Sequence, residues 1–373
     1  MSIKGIIFIG LFSFCFLGAL VAPHLGIYGY VADYCISPKN QWWGYVFYRA
    51  GIRFSFFLAL ATAIGIYLQR HKLKFGEKLL YNQEKTLIWL LLLMWLLYFV
   101  GPETSGRYGA VDHPTVKFTK MVIFLFMMTH VITSIRKISG LFWVFSTCSL
   151  ILGYKAWNTP YSSFVSGRLE GIGGPDFAEA NFFAAFMAAM LPIIGIQFLR
   201  SKHWLVKLYA LACGVFTANA VILCRSRGAF LGVAMGAVAA LWFAPKRLRK
   251  KILVMLIVGA LGGLYLTDDF FVERISTITT DQQEMDSSTS SRIKLWKAGA
   301  KMVLNNPIGI GSGNWYQTIG RYIPEYEGKD SHNTYVKCAA ELGVLGISLF
   351  LFLLWQAYRN LKKVHDGAGD LVA

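Results

Sequence analysis

Long apolar runs separated by short polar stretches dominate this chain, and residues 88–100, 121–135 and 349–355 contain no Asp, Glu, Lys or Arg at all. An apolar run must supply enough length to cross a hydrocarbon core about 30 Å thick. Cut on that criterion, the sequence predicts ten spans, at 5–22, 44–68, 86–101, 118–135, 139–154, 178–199, 204–223, 228–243, 252–267 and 335–358. The pattern predicts an all-α polytopic membrane protein, with nine spans in residues 1–266, a large loop at 267–334, and a last span and tail at 335–373. Shorter loops fall at 23–43, 102–117 and 155–177. Lys4 precedes an apolar run ending at Ala22, as in a signal peptide, but Pro23 directly after that point disfavours cleavage, so an uncleaved anchor is expected.

The large loop carries structure of its own. Ser287 to Ser291 offer helix caps, and Ile293, Trp296, Ala300 and Val303 or Leu304 then recur at helical spacing among Arg292, Lys294, Lys297 and Lys301. This predicts an amphipathic helix lying on the bundle or on the outer leaflet, stopped by Asn305, Asn306 and Pro307. Gly309, Gly311 and Gly313 follow in NPIGIGSGNW. No βαβ pattern surrounds them and no Lys-Ser/Thr pair follows, so they read as a tight loop with positive-φ positions and not as a nucleotide-binding loop.

Composition agrees with the pattern: 55% of the 373 residues are hydrophobic and 15% charged, with a mean hydropathy of +0.48. The net charge of +17 invites a nucleic-acid reading, but topology explains it better. With the N-terminus placed inside and the sides alternating, the inner segments hold 19 of the 37 Lys and Arg residues. No nucleic-acid motif accompanies them, and anionic inner-leaflet lipid is the expected partner. Six cysteines, three within spans and none in a CxxC pair, support neither a disulfide framework nor a metal site.

The informative residues are those that topology does not require. Arg225 and Arg227, in LCRSRGAFLG, sit in a short outer turn, either snorkelling to the headgroups or serving a site. Gly228, Gly232 and Gly236 follow at four-residue spacing, which predicts close approach of another helix beneath Arg227. Arg49 and Arg53 lie one turn apart in the second span, suited equally to an ion pair or to an anion. Arg168 lies in an outer loop, beside Asp176, Glu179 and Asn181 at the start of the sixth span. His332, in KDSHNTYVKCAAELGVLG, stands where the large loop enters the last span, with Asp330 or Ser331 able to cap the helix. Projected at 3.6 residues per turn, His332, Val336, Ala339, Gly343 and Gly346 share a face. An interfacial histidine with a water shell and a base that activates a hydroxyl both fit this position.

HNTYVKCAAELGVLG resembles the His-Asn, nine residues, Gly, two residues, Gly signature of the O-antigen ligases, in a superfamily that also holds O-antigen polymerases and protein O-glycan ligases. GRLEGIGGPDFAEANFFAAF, SRGAFLG and SRIKLWKAGAKMVLNNPIGIGSGNW resemble, in that order along the chain, further segments of that family, so that the resemblance spans residues 155–347. It implies an inverting, metal-independent inner-membrane glycosyltransferase without a cofactor. Such an enzyme moves a glycan from undecaprenyl diphosphate to an acceptor hydroxyl, lipid A-core in the ligases, on the periplasmic side. By resemblance the acceptor-activating base falls on His332 and the diphosphate-binding arginine on Arg227, with Arg168 as a second. Arg225, Asn181, Asn333, Arg49 and Arg53 complete the candidate substrate-binding set. The arginine-three-residues-leucine pattern of the ligases is not reproduced at Arg168, and family members continue through about two further spans where this chain ends at Ala373. A polymerase shares the donor chemistry. A lipid-linked glycan transporter instead predicts a charged path across the midplane, for which only His130, Arg53, Lys337 and Glu341 stand within the spans.

Overall fold

Backbone N–H and C=O groups in hydrocarbon must be satisfied within their own segment, and helices are what the apolar runs form. A computed structural model describes residues 2–71, 80–101, 108–109, 111–267 and 287–370. Among these residues there is no β-strand, and one isolated bridge joins Val165 to Arg168. Six helices are long and apolar enough to cross a membrane: Ile3–Val21, Asn82–Val100, Ile135–Trp157, Ala180–Arg200, Trp204–Leu223 and Thr334–Gly367. Phe54–Leu68 and Arg227–Phe243 are shorter apolar helices. Lys246–Leu266 opens on the basic cluster KRLRKK, and Pro114–Val131 carries Lys117 and Lys120, which keeps both below that standard of apolarity.

The chain divides into two units, 1–74 with 131–280, and 75–130 with 281–373. In the first, Phe8 and Phe12 lie against Phe54, with ring centroids 4.9 and 4.8 Å apart. Gln69 Nε2 donates to the Leu20 carbonyl at 3.3 Å, so Ile3–Val21 and Phe54–Leu68 run parallel. Between them runs a helix where the sequence predicts a loop: Pro23–Ile36 is antiparallel to both, with Gly26 against Ala19 and Thr62, and Gly29 against Cys15 and Leu58. Pro23, at the first helical position, has no N–H to leave unsatisfied and starts the helix. The glycines that dilute its hydropathy are what let the three backbones approach.

This extra pass changes the topology. Ser2 lies at the end of the unit that carries residues 37–53, opposite Gln69, so the N-terminus is not on the side of the basic stretch that begins at Arg70, as the sequence reading has it. Within this unit Ile135–Trp157 keeps its predicted direction relative to the Arg70 end. The Tyr28 hydroxyl donates to the Lys137 carbonyl at 2.6 Å, while at the other end of Ile135–Trp157 Leu152 meets Gly173 beside the Cys35 carbonyl. The predicted span 44–68 is also broken, into Tyr45–Arg49 and Phe54–Leu68, by a turn with Gly51 at φ 68°. Arg49 and Arg53 therefore do not share one helix.

Gly228, Gly232 and Gly236 do not lie under another helix: among the described residues a Cβ on any of them meets nothing within 4 Å. Their helix packs on Ala180–Arg200 and buries only Ala229, and the glycine stripe takes no part in that contact.

In the second unit Asn82–Val100 and Pro114–Val131 are antiparallel, tied by Trp95 Nε1 to Thr119 Oγ1 (3.0 Å) at one end and Thr129 Oγ1 to Glu84 Oε1 (2.6 Å) at the other. The Thr334–Asp370 helix packs on the first of these, with Leu342 in a cluster with Leu90, Leu93, Met94 and Leu97. A second core forms around Trp315 from Leu295, Ala298, Met302, Ile310, Ile319 and Ala340. The Ser287–Asn305 helix thus buries the stripe of Leu295, Ala298 and Met302 with Val303 packed beside it, while Ile293, Trp296, Ala300 and Leu304 of the predicted stripe stay exposed. Leu304 stays 81% exposed. The helix has two apolar stripes, and its own loop takes the one without lysines.

Candidate functional site

In the first unit, Val165 and Arg168 exchange backbone hydrogen bonds of 2.9 and 3.0 Å. The two residues between them, Ser166 and Gly167, have φ of 49° and 70°. Positive φ at both central positions is the tight hairpin turn whose twist suits paired strands. The hairpin aims Arg168 back at the turn between Trp204–Leu223 and Arg227–Phe243. Its Nε donates to the Cys224 carbonyl (3.1 Å) and its NH2 to Asn181 Oδ1 (2.6 Å).

Arg225 answers from that turn. It is buried, sits at φ 47°, and its guanidinium donates to the Gly167 carbonyl and lies 6.0 Å from the centre of the Phe164 ring. A left-handed backbone at a non-glycine residue costs on the order of 1 kcal/mol and persists only where surrounding contacts over-determine it. Ser226 then caps Arg227–Phe243, accepting from Ala229 N–H (3.4 Å) and donating to the same Asn181 Oδ1 (2.9 Å). Arg227 is the first residue of that helix and half-buried.

Three sequence candidates, Arg168, Arg225 and Asn181, are therefore in one hydrogen-bonded knot, with Arg227 two residues on from Arg225. Asn181 is its shared acceptor, a role that sequence reasoning did not assign, and Ser226 was missed. Asp176 accepts from the Tyr34 hydroxyl, and Glu179 precedes the Ala180–Arg200 helix without capping it. Arg49 and Arg53 are exposed, and the Arg49 guanidinium stacks over Tyr45, 5.2 Å from the ring centre.

In the second unit, the glycine loop does turn on positive φ, at Gly309 (105°), Gly311 (90°) and Gly313 (86°). It docks into a break in the last helix at Gly343, where φ is 67° and ψ −168°. Ile310 and Gly311 N–H groups donate to the Ala340 and Glu341 carbonyls (3.0 Å each), and Val344 N–H donates to the Pro307 carbonyl (2.9 Å). The break frees these backbone groups and the loop satisfies them. It also ends the predicted continuous face from His332 to Gly346, because the helical register does not carry through Gly343. The buried Glu341 carboxylate accepts from Trp315 N–H (3.1 Å) at the start of Trp315–Tyr322.

Two indoles hold the approach to the last helix: Trp315 Nε1 donates to the Lys329 carbonyl (3.0 Å) and Trp296 Nε1 to the Ser331 carbonyl (2.9 Å). Asn333 Oδ1 caps the helix, accepting from Tyr335 and Val336 N–H at 3.0 and 3.2 Å, so the cap is neither Asp330 nor Ser331 as predicted. Ser331 instead bonds to the Asn333 backbone, and His332 between them is forced to φ 49°. The His332 side chain is 40% exposed. Asp330 Oδ2 accepts from His332 N–H (3.2 Å), and Oδ1 pairs with Lys337 Nζ at 2.7 Å. Burial works to raise the Asp330 proton affinity, but the Lys337 ammonium, the Tyr316 hydroxyl and the His332 N–H together hold it below the ordinary carboxylate value.

Among the described residues no group of three or more His, Cys, Asp or Glu side chains is placed to hold a metal.

Residues 211–351 match the model of the O-antigen ligase family. Over 153 residues the chain is 26% identical to a protein of Rickettsia typhi (strain ATCC VR-144 / Wilmington) named provisionally as a polysaccharide ligase. That match covers 38% of this chain, which spans 36% of the length of the relative. No solved structure matches. The resemblance read from the motifs is borne out over the matched residues, which hold Arg225, Arg227, His332 and Asn333 but neither Arg168 nor Asn181.

Proposed function

We propose that this chain is a membrane glycosyltransferase that moves a glycan from undecaprenyl diphosphate to an acceptor hydroxyl, such as that of lipid A-core, at the periplasmic face of a bacterial inner membrane. The observation that carries the reading is His332: a half-exposed imidazole held at φ 49° at a helix entrance, within the segment that matches the ligase family. Strained backbone of this kind concentrates at functional sites.

In this reading His332 takes the acceptor proton, the hydroxyl oxygen bonds to the anomeric carbon, and the bond from that carbon to the diphosphate oxygen breaks with inversion. The electron pair leaves with the diphosphate, whose growing charge guanidinium groups stabilise. Arg227 takes that part, with Arg168 and Arg225 holding the turn that presents it. No ATP is consumed, because the donor already carries the activated bond.

Transport of the same lipid has less support, because three of the four charges within spans stand at helix ends and the fourth, Glu341, is buried and bonded to Trp315 N–H. Lys337 pairs with Asp330 in the first turn of its helix, Arg53 precedes its helix, and His130 lies 3.5 Å from Glu84 at the far end of Pro114–Val131.

The test is transfer in nanodiscs, with undecaprenyl diphosphate-linked glycan as donor and lipid A-core as acceptor. His332→Ala and Arg227→Ala should each lose at least about a hundredfold in rate while remaining folded in the membrane. Near-normal product from either variant removes the role given to that residue, and glycan lengthening on the carrier would make the protein a polymerase.

A further inference from the structure

His332 is followed along its own loop by an ordered set of charges that the transfer reading leaves unused. His332 Nδ1 faces Asp330 Oδ2 at 3.9 Å, and that oxygen is fixed by the His332 backbone N–H at 3.2 Å. The other oxygen, Oδ1, lies 2.7 Å from Lys337 Nζ. Lys337 is itself held, with Nζ 3.1 Å from the Tyr316 hydroxyl and 4.2 Å from the centre of that ring. One turn further along the helix the buried Glu341 bonds to Trp315 N–H. Asp330 is thus held by Lys337 and by the His332 backbone, with one carboxylate oxygen facing the imidazole.

The geometry points to Asp330 as the positioning residue for His332, turning Nδ1 inward as the protonated nitrogen so that Nε2 is the atom that accepts the acceptor's proton. This rests on the transfer reading of His332. A histidine base needs one nitrogen protonated and the other free, and a fixed carboxylate beside the first selects that tautomer and stabilises the imidazolium formed when the second is protonated. The proton that leaves the hydroxyl ends on Nε2, Asp330 stays ionised throughout, and the imidazolium is neutralised locally. Lys337 keeps the carboxylate ionised and prevents it from swinging away. The titratable or charged groups that face Asp330 are Lys337 from the last helix, Tyr316 from Trp315–Tyr322, His332 beside it, and Glu341 through Lys337. Lys329 stacks instead on the Tyr326 ring, 4.6 Å from its centre.

The experiment compares wild type, Asp330→Asn, Asp330→Glu and His332→Ala in the nanodisc assay, with kcat, KM for the lipid-linked donor and the pH profile of kcat/KM. Asp330→Asn should lower kcat by at least about tenfold with the donor KM nearly unchanged. It should also move the acid limb of the profile to lower pH, because the imidazolium loses its neighbouring negative charge. Asp330→Glu, which keeps the charge, should restore much of kcat and return the acid limb toward wild type, and it carries the test if Asp330→Asn does not fold. Wild-type kcat and an unmoved acid limb in Asp330→Asn would overturn the inference. Equal loss in both variants with no movement of the limb would reduce Asp330 to a structural residue and overturn it too. If His332→Ala is inactive while Asp330→Asn is normal, the positioning role fails and the transfer reading stands. Transfer by His332→Ala overturns both.

Discussion

Asn181 Oδ1 accepts from the Arg168 guanidinium and from the Ser226 hydroxyl at once, so one amide oxygen joins a hairpin, a helix cap and a helix start. Removing it leaves an arginine donor and a hydroxyl without their acceptor, and an unmet hydrogen bond of this kind costs about 1–3 kcal/mol. Asn181→Ala should therefore lower the melting temperature of the purified protein and, on the proposed function, weaken donor binding with it, whereas Asn181→Asp, which retains the acceptor, should melt near wild type. A melting curve for Asn181→Ala that overlays wild type would show that the knot carries no stability. Asp330 makes a second prediction at this scale. Its folded proton affinity is depressed, so its contribution to stability is present above the unfolded carboxylate value and is lost as pH falls through the lower folded one. The melting difference between wild type and Asp330→Asn should hold from pH 7 to pH 5 and close only below the ordinary carboxylate value of 3.8.

Helices with glycine stripes differ according to what stands against them. Gly343 has φ 67° and lies against the backbone of Pro307 and Ile308, so Gly343→Ala adds both backbone strain and a clash. Gly232 lies in regular helix with open space beside it, where alanine is the better helix former by roughly 1 kcal/mol. Gly343→Ala should melt well below wild type and Gly232→Ala at or above it, and the reverse order in a thermal shift assay would refute the docked loop.

That contrast marks what a sequence can and cannot reveal about this fold. Long apolar runs such as 139–154 and 204–223 were legible because hydropathy alone requires them to be helical. Pro23–Ile36 was not, since Gly26, Gly29, His24 and Asp33 lower its hydropathy while serving its packing. The buried stripe of Ser287–Asn305 was misread because two apolar stripes compete on it and only the docking of Trp315 decides. His332, Arg168, Arg225 and Asn181 were legible as anomalies of charge and motif. Ser226 was not, because a serine before a helix looks like a cap and nothing more, and Asp330 was seen only as a candidate cap.

At the scale of the molecule, the helix Pro23–Ile36 carries the chain back to the end of the first unit at which it begins. Ser2 and Lys39 share one end of the first unit and Arg70 lies at the other. Single cysteines at these positions, in a background freed of reactive native thiols, should label from one face of sealed vesicles for Ser2→Cys and Lys39→Cys and from the opposite face for Arg70→Cys. Labelling of Ser2→Cys and Arg70→Cys from the same face would restore the simple alternation expected from hydropathy. Lys4, at the start of Ile3–Val21, and the Arg70 end of Phe54–Leu68 stand at opposite ends of this unit.

The loop at 307–311 bonds to backbone that the ribosome makes some thirty residues later, at Ala340, Glu341 and Val344. Until the last helix has been threaded into the bilayer and has broken at Gly343, the loop has no partner for these groups. The indole of Trp315 likewise packs on Ala340, and through Lys329 it steadies the segment that bears His332. The histidine therefore acquires its geometry only after residues 340–344 have been made and folded. A chain stalled before that point leaves the 307–311 backbone without these partners, and the segment that bears His332 without the packing that steadies it.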